Sequence, residues 1–178
     1  MRFLTLLLTF LPKLLVLALL SGCVDSYTYK AYLGAPRETL QVAKISGSQY
    51  VRRDTINRYV DAVKFYGIDG KSIENSLGYN LVEVAPGFHD IAVYFYWDMG
   101  SQKGLASALV SYASSRESLN RTLRFNARVG MTYSVKAKPF FTGDDEDITS
   151  LSHVDFWIED QNGIVIVSKE AGRYQPQS

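Results

Sequence analysis

The chain has 178 residues, of which 47% are hydrophobic and 13% aromatic, with 19 basic and 18 acidic side chains. A charge this close to neutral argues against a nucleic-acid partner, which needs a basic face or a strongly basic domain, and a single cysteine excludes an internal disulfide. The wealth of Tyr and Phe, with no long alanine- and leucine-rich amphipathic run after the first 22 residues, leans towards β structure.

The chain opens with Arg2 and an apolar run, Phe3 to Leu20, broken only by Thr5, Thr9, Pro12 and Lys13. A stable membrane span wants about 20 apolar residues. Pro12-Lys13 leaves only Leu14 to Leu20 intact, so the run reads as a secretion signal. Its end, Leu20-Ser21-Gly22-Cys23, resembles the lipobox of bacterial lipoproteins. The resemblance implies signal cleavage between Gly22 and Cys23 and a palmitate-type covalent lipid on Cys23, with no other cofactor expected. Several acyl chains on one residue make a lasting membrane anchor, whereas one chain holds only marginally. In Gram-negative sorting an Asp directly after the cysteine favours the inner membrane. Val24 stands there and Asp25 follows, so the expected address is the outer membrane, facing the periplasm.

Residues 1–22 are thus read as a signal peptide, leaving 156 residues with 17 basic and 18 acidic side chains because Arg2 and Lys13 are lost. That length suits one domain with a proper core. Residues 23–36 are expected to be the lipidated N-terminus and tether, 37–168 the domain, and 169–178 a polar tail that need not be ordered. Within the tether, Tyr27 and Tyr29 alternate with Thr28 and Lys30, which fits an edge strand or a spacer. Tyr32-Leu33-Gly34-Ala35-Pro36 reads as a turn.

Leu40 to Ile45 is compatible with a strand buried on both sides, and Ser46 to Ala62 with a short helix or a surface loop. Val63 to Ile68 reads as a strand closed by Asp69-Gly70, a pair that tolerates the positive φ of a tight turn. Asn80 to Ala85, Pro86-Gly87 and Phe88 to Asp98 read as a hairpin, and the apolar residues on both faces of its second arm predict a central strand. Met99 to Ser118 fits an insertion or a long hairpin.

Leu119 to Val129 and Met131 to Lys138 alternate with period two and predict an antiparallel pair joined at Gly130. Val154 to Glu159 alternates likewise, and Asn162-Gly163 marks a turn into Ile164 to Val167. About eight strands joined by turns predict a mainly β chain, an antiparallel β-sandwich of immunoglobulin-like or transthyretin-like kind.

Several segments together resemble a poorly characterised group of small Gram-negative lipoproteins. They are Tyr32-Leu33-Gly34 with Val42-Ala43, Ile68-Asp69-Gly70, Val84-Ala85-Pro86-Gly87-Phe88-His89, Leu123-Arg124-Phe125-Asn126-Ala127, Gly130-Met131-Thr132-Tyr133 and Trp157-Ile158-Glu159-Asp160 before Gly163. The Asp-Gly followed by Pro-Gly-x-His is also similar to PEGA-type β modules. These resemblances imply a fold and an address, and carry over no active site.

His89 with Asp90 and a serine are residue types of a hydrolase triad, but no Gly-x-Ser-x-Gly elbow accompanies them. A cap on the Pro-Gly turn, bonded to a neighbouring carbonyl, is the simpler reading of His89. His89 and His153 are too few for a zinc site unless Asp155 sits beside both. Asp144, Asp145, Glu146 and Asp147 form an acidic loop without the spacing of an EF-hand.

Arg121, Arg124 and Arg128 with Lys136 and Lys138 are expected to form a basic stripe on one sheet face, suited to lipid phosphates or an acidic partner. Tyr94, Tyr96 and Trp97 offer a stacking platform for sugars if they are open. The functional expectation is a non-catalytic accessory or scaffold subunit of an envelope assembly. It would hold the bilayer through its acyl anchor and an envelope protein through its domain. A binding module for cell-wall glycan or lipid is the alternative, and a hydrolase the third reading.

Overall fold

A computed structural model describes residues 27–53, 58–74, 78–98, 120–143 and 151–174. Leu20 to Cys23, the stretch expected as a lipobox, Met99 to Ser118 and the acidic run Asp144 to Asp147 therefore lie outside the described residues. The described chain is mainly β and builds two sheets. The first contains β1 (Thr28–Lys30), β2 (Ala43–Gly47), β6 (Leu81–Val84), β9 (Thr132–Phe141), β10 (Leu151–Asp160), β11 (Val165–Val167) and β12 (Arg173–Tyr174). Its order is β1-β6-β2-β9-β10-β11, with β12 also against β10. The second contains β3 (Gln49–Arg53), β4 (Arg58–Ile68), β5 (Lys71–Ser72), β7 (Gly87–Asp98) and β8 (Asn120–Ala127), in the order β3-β4-β7-β8 with β5 also against β4.

The period-two alternation of the sequence sends one side of each long strand inward. Ile45, Val82, Val84, Tyr133, Val135, Val154, Phe156 and Ile158 of the first sheet meet Val63, Phe65, Ile91, Val93, Phe95, Leu123 and Phe125 of the second in one core. Such burial is worth about 1.5–3 kcal/mol per large apolar side chain. Strand β4 needs a correction of phase, because straight alternation from Val63 and Phe65 would send Gly67 inward. The register shift between Phe65 and Gly67 leaves Tyr66 exposed and Ile68 in the core.

The expected central strand is found: β7 lies between β4 and β8. The Asp69-Gly70 turn is also as expected, with φ of 51° and 75° at its two residues, the signature of a type I′ hairpin. At Asn162-Gly163 only Gly163 has positive φ, and the Asp160 carboxylate accepts from the Asn162 and Ile164 amides, at 2.8 and 3.0 Å.

Several expectations are overturned. The arms on either side of Pro86-Gly87 do not pair: β6 lies in the first sheet and β7 in the second. The strands on either side of Gly130 are likewise divided, β8 pairing with β7 while β9 pairs with β2 and β10. The physical reason is common to both. Each arm has an apolar face to bury, and a corner that folds the two faces onto each other buries more than a flat hairpin does. The positive φ of Gly87 (132°) and Gly130 (70°) makes these corners.

Within the segment expected as helix or loop, Ser46 to Ala62, Ser46 and Gly47 end β2, and residues 49–53 and 58–62 pair as β3 against β4. The sheet is also not wholly antiparallel, since β1–β6 and β2–β9 are parallel. Leu40, expected within a buried strand, sits in a short 3-10 turn (Thr39–Gln41) and is exposed. Within the tail expected at 169–178, Arg173 and Tyr174 form β12 against β10.

Between β2 and β3 the chain crosses from one sheet to the other within two residues. Ser48 donates its amide to Val135 and accepts from the Val63 amide, at 2.8 and 2.9 Å, so one residue is bonded to both sheets. Gly47 permits the approach, because a Cβ there would collide with the Val63 carbonyl.

Candidate functional site

The turns of the two sheets gather along one rim and are hydrogen-bonded to each other. Asp69 is the hub. Its amide donates to the Asp90 carbonyl at 2.8 Å, and its Oδ1 accepts from the Asp90 amide at 2.9 Å. Its Oδ2 lies 2.8 Å from His89 Nδ1, while His89 Nε2 lies 2.7 Å from the Ala85 carbonyl. His89 therefore ties the β4–β5 turn to the β6–β7 corner, and both contacts are hydrogen bonds only when both ring nitrogens carry protons. Burial pushes the Asp69 carboxyl up, but the Asp90 amide, His89 and Lys71 together outweigh it and hold it below the ordinary value.

The rim continues beyond this hub. Gly130 donates to the Val42 carbonyl at 2.9 Å, Thr132 donates to Gln161 Oε1 at 3.3 Å, and the Tyr133 hydroxyl accepts from the Arg128 amide at 3.0 Å. On this fastened frame several apolar side chains face solvent. Leu33 is 89% and Leu40 77% exposed, and Val129 and Ile164 are more than half exposed. Strand β1 runs towards this rim, so Thr28 lies at the end of the strand far from it.

A second cluster lies in the first sheet. Asp155 is buried, and Arg173 grips it as a fork, Nε to Oδ1 at 2.6 Å and Nη2 to Oδ2 at 3.0 Å. This contact above all holds the Asp155 carboxyl below the ordinary value, against its burial. His153 stacks on Phe140 with ring centres 4.4 Å apart, and its Nδ1 lies 3.1 Å from Ser152 Oγ.

A hydrolase needs one histidine within reach of both a serine and a carboxylate. His153 has its serine, but the nearest oxygen of Asp155 is 3.9 Å away and engaged by Arg173. His89 has a carboxylate and a carbonyl. Asp155 thus sits beside one histidine and not both. Among the described residues no group of three or more His, Cys, Asp and Glu is placed to hold a metal ion.

The five basic residues expected as one stripe are divided between the two sheets. Arg124 lies on the outer face of β8, 3.6 Å from Asp90 and over the Phe88 ring, and Arg128 follows the same strand. Lys136 and Lys138 lie on β9, where Lys138 covers Phe140. Arg121 has the parity of the inward residues yet is exposed, and it bridges to the first sheet by donating to the Ala171 carbonyl at 3.1 Å. A single stripe requires β8 and β9 to pair, and they lie in different sheets. Tyr94 is only 3% exposed and Tyr96 half-buried, so this pair is no open platform.

The described residues also line clefts. One of about 240 Å³ lies between Ser48–Tyr50, Asp61–Val63 and Phe95 on one side and Ala137–Pro139 on the other. The second, of about 190 Å³, lies between Tyr29–Leu33 and Ile68, Asp69 and Lys71. Among the described residues no helix is long and apolar enough to cross a membrane. A scan against protein-family models finds no match for this chain, and searches of curated proteins and of solved structures find none either.

Proposed function

We propose that the chain is a periplasm-facing lipoprotein of the outer membrane, anchored by lipid on Cys23. Its β-sandwich would serve as a non-catalytic accessory or scaffold subunit of an envelope assembly. The observation that carries the reading is the rim, where exposed apolar residues stand on turns fastened to one another and β1 leads in from the far side. Isolated exposed hydrophobics are ordinary, but a group of them on a rigid frame marks a contact surface. The five-residue step from Cys23 to Thr28 spans at most about 18 Å, so an acylated Cys23 would hold the domain close to the bilayer.

The immunoglobulin-like kind of sandwich is supported by Tyr133, whose hydroxyl bonds the Arg128 amide five residues back, a device similar to the tyrosine corner of that fold. The anchor is tested by the intact mass of the protein extracted from membranes. A mature chain starting at Cys23 and carrying acyl groups, with Cys23→Ser left uncleaved and unacylated, is the expected result. An unacylated wild-type chain would overturn the anchor.

A further inference from the structure

Most of the open strand edges carry residues that obstruct the addition of another strand. Strand β1 has Lys30, β3 has Arg52 and Arg53, β5 has Lys71, β8 has Arg121 and Arg124, and β12 has Arg173. Strand β9 outlasts its neighbour β2 after Val135, and its open half carries Lys136, Lys138 and Pro139. Charged residues and proline on an edge are the usual protection against pairing with another chain. Strand β11 ends the order of the first sheet without such protection, with β8 of the second sheet packed near it. Ile164, Val165 and Ile166 are 59%, 53% and 42% exposed there, with no proline or charge until Lys169.

This edge is also polarised. Glu159 and Asp160 stand at the end where β11 begins. Lys169 follows its other end, with its ammonium over the Trp157 ring at 4.5 Å, and Arg121 reaches in to Ala171. We propose that the free edge of β11 is a strand-addition site for an extended apolar segment of a partner protein, basic where it meets Asp160 and acidic where it meets Lys169. The proposal rests on the adapter reading above and names the place of contact.

A second copy of this chain fits the edge less well. Paired in parallel, two copies would set like charges side by side. Paired antiparallel, they would send their two β1 strands in opposite directions, which suits poorly two short leads to one bilayer.

The test uses the full-length protein in detergent and a synthetic eight-residue peptide of alternating valine and threonine, with lysine at one end and glutamate at the other. Hydrogen exchange of residues 164–168 is expected to slow by about tenfold with the peptide, and less with a version bearing lysine at both ends. Ile166→Lys, on an exposed side chain, should abolish the response while exchange elsewhere stays unchanged. No slowing at β11, slowing only at another strand, or protection of β11 that rises with protein concentration alone would each overturn the proposal. The last outcome would assign the edge to a second copy. Loss of this response with the Cys23 lipid intact defeats the edge alone, whereas an unacylated chain that still responds defeats the anchor alone.

Discussion

Arg173 closes a two-pronged grip on the buried carboxylate of Asp155, and through it the last described residues become part of the first sheet. A buried charge that loses its partner is costly, whereas a matched pair replaced by apolar residues is often tolerated. Arg173→Met should therefore destabilise the fold more than Asp155→Leu does, and the double variant should recover much of the loss of the first. Urea unfolding of the three variants checks the order. Equal effects from both single changes would show that the pair is merely superficial.

The same carboxylate, with Asp69, sets the response to acid. Both are held below the ordinary value of 3.8, Asp155 chiefly by Arg173, and Asp69 by the Asp90 amide, His89 and Lys71 against its own desolvation. A carboxyl whose folded pKa is depressed adds stability that is fully present above its unfolded pKa and lost as pH falls through the folded one. Stability should thus stay level with respect to these groups above about pH 5 and fall below about pH 4. Asp155→Leu should make that fall shallower, as urea midpoints taken across the range will show.

His89 joins two turns through a carboxylate and a carbonyl and is itself mostly buried. His89→Ala should cost about 1–3 kcal/mol, the range for losing hydrogen bonds that include a charged partner. It should also speed amide exchange at Asp69 and Asp90 first, because their mutual bonds lose support. A neutral effect with unchanged exchange would remove His89 from the frame of the rim.

Gly47 allows the chain to leave one sheet for the other against the Val63 carbonyl. Gly47→Ala should cost about 3 kcal/mol or more, since backbone atoms and not a flexible side chain stand in the way. Gly34→Ala, at an open position with φ of 96°, should cost about 1 kcal/mol. Thermal unfolding of the two variants gives the comparison.

Alternation in the sequence was enough to find β7 as a central strand and the inward residues of β8, β9 and β10, because a sheet with one buried face leaves that mark on every second residue. The Asp69-Gly70 turn was legible for a local reason, as few other pairs accept two positive φ angles. Partners across the sheets were not legible. A glycine of positive φ serves a hairpin and a sheet-crossing corner alike, so Gly87 and Gly130 read as hairpin turns although both make corners, and only the packing of both apolar faces decides between the two. That error carried into the site. Arg124 and Lys136 read as neighbours on one face when β8 and β9 are paired, and they stand on different sheets. The Asp69–His89 tie spans twenty residues and has no periodic signal, although each of its two turns is legible by itself. The unprotected edge of β11 was readable as Ile-Val-Ile-Val, but nothing in the sequence told it apart from a buried strand.

The most direct measurement of the adapter account is recovery of the protein from membranes after crosslinking in living cells, with every co-purifying protein quantified. The account predicts one envelope protein in near-equal amount, lost from the Cys23→Ser variant and reduced by Ile166→Lys. Recovery of the chain alone, or with glycan or lipid and no protein, would contradict it and favour a binding module instead.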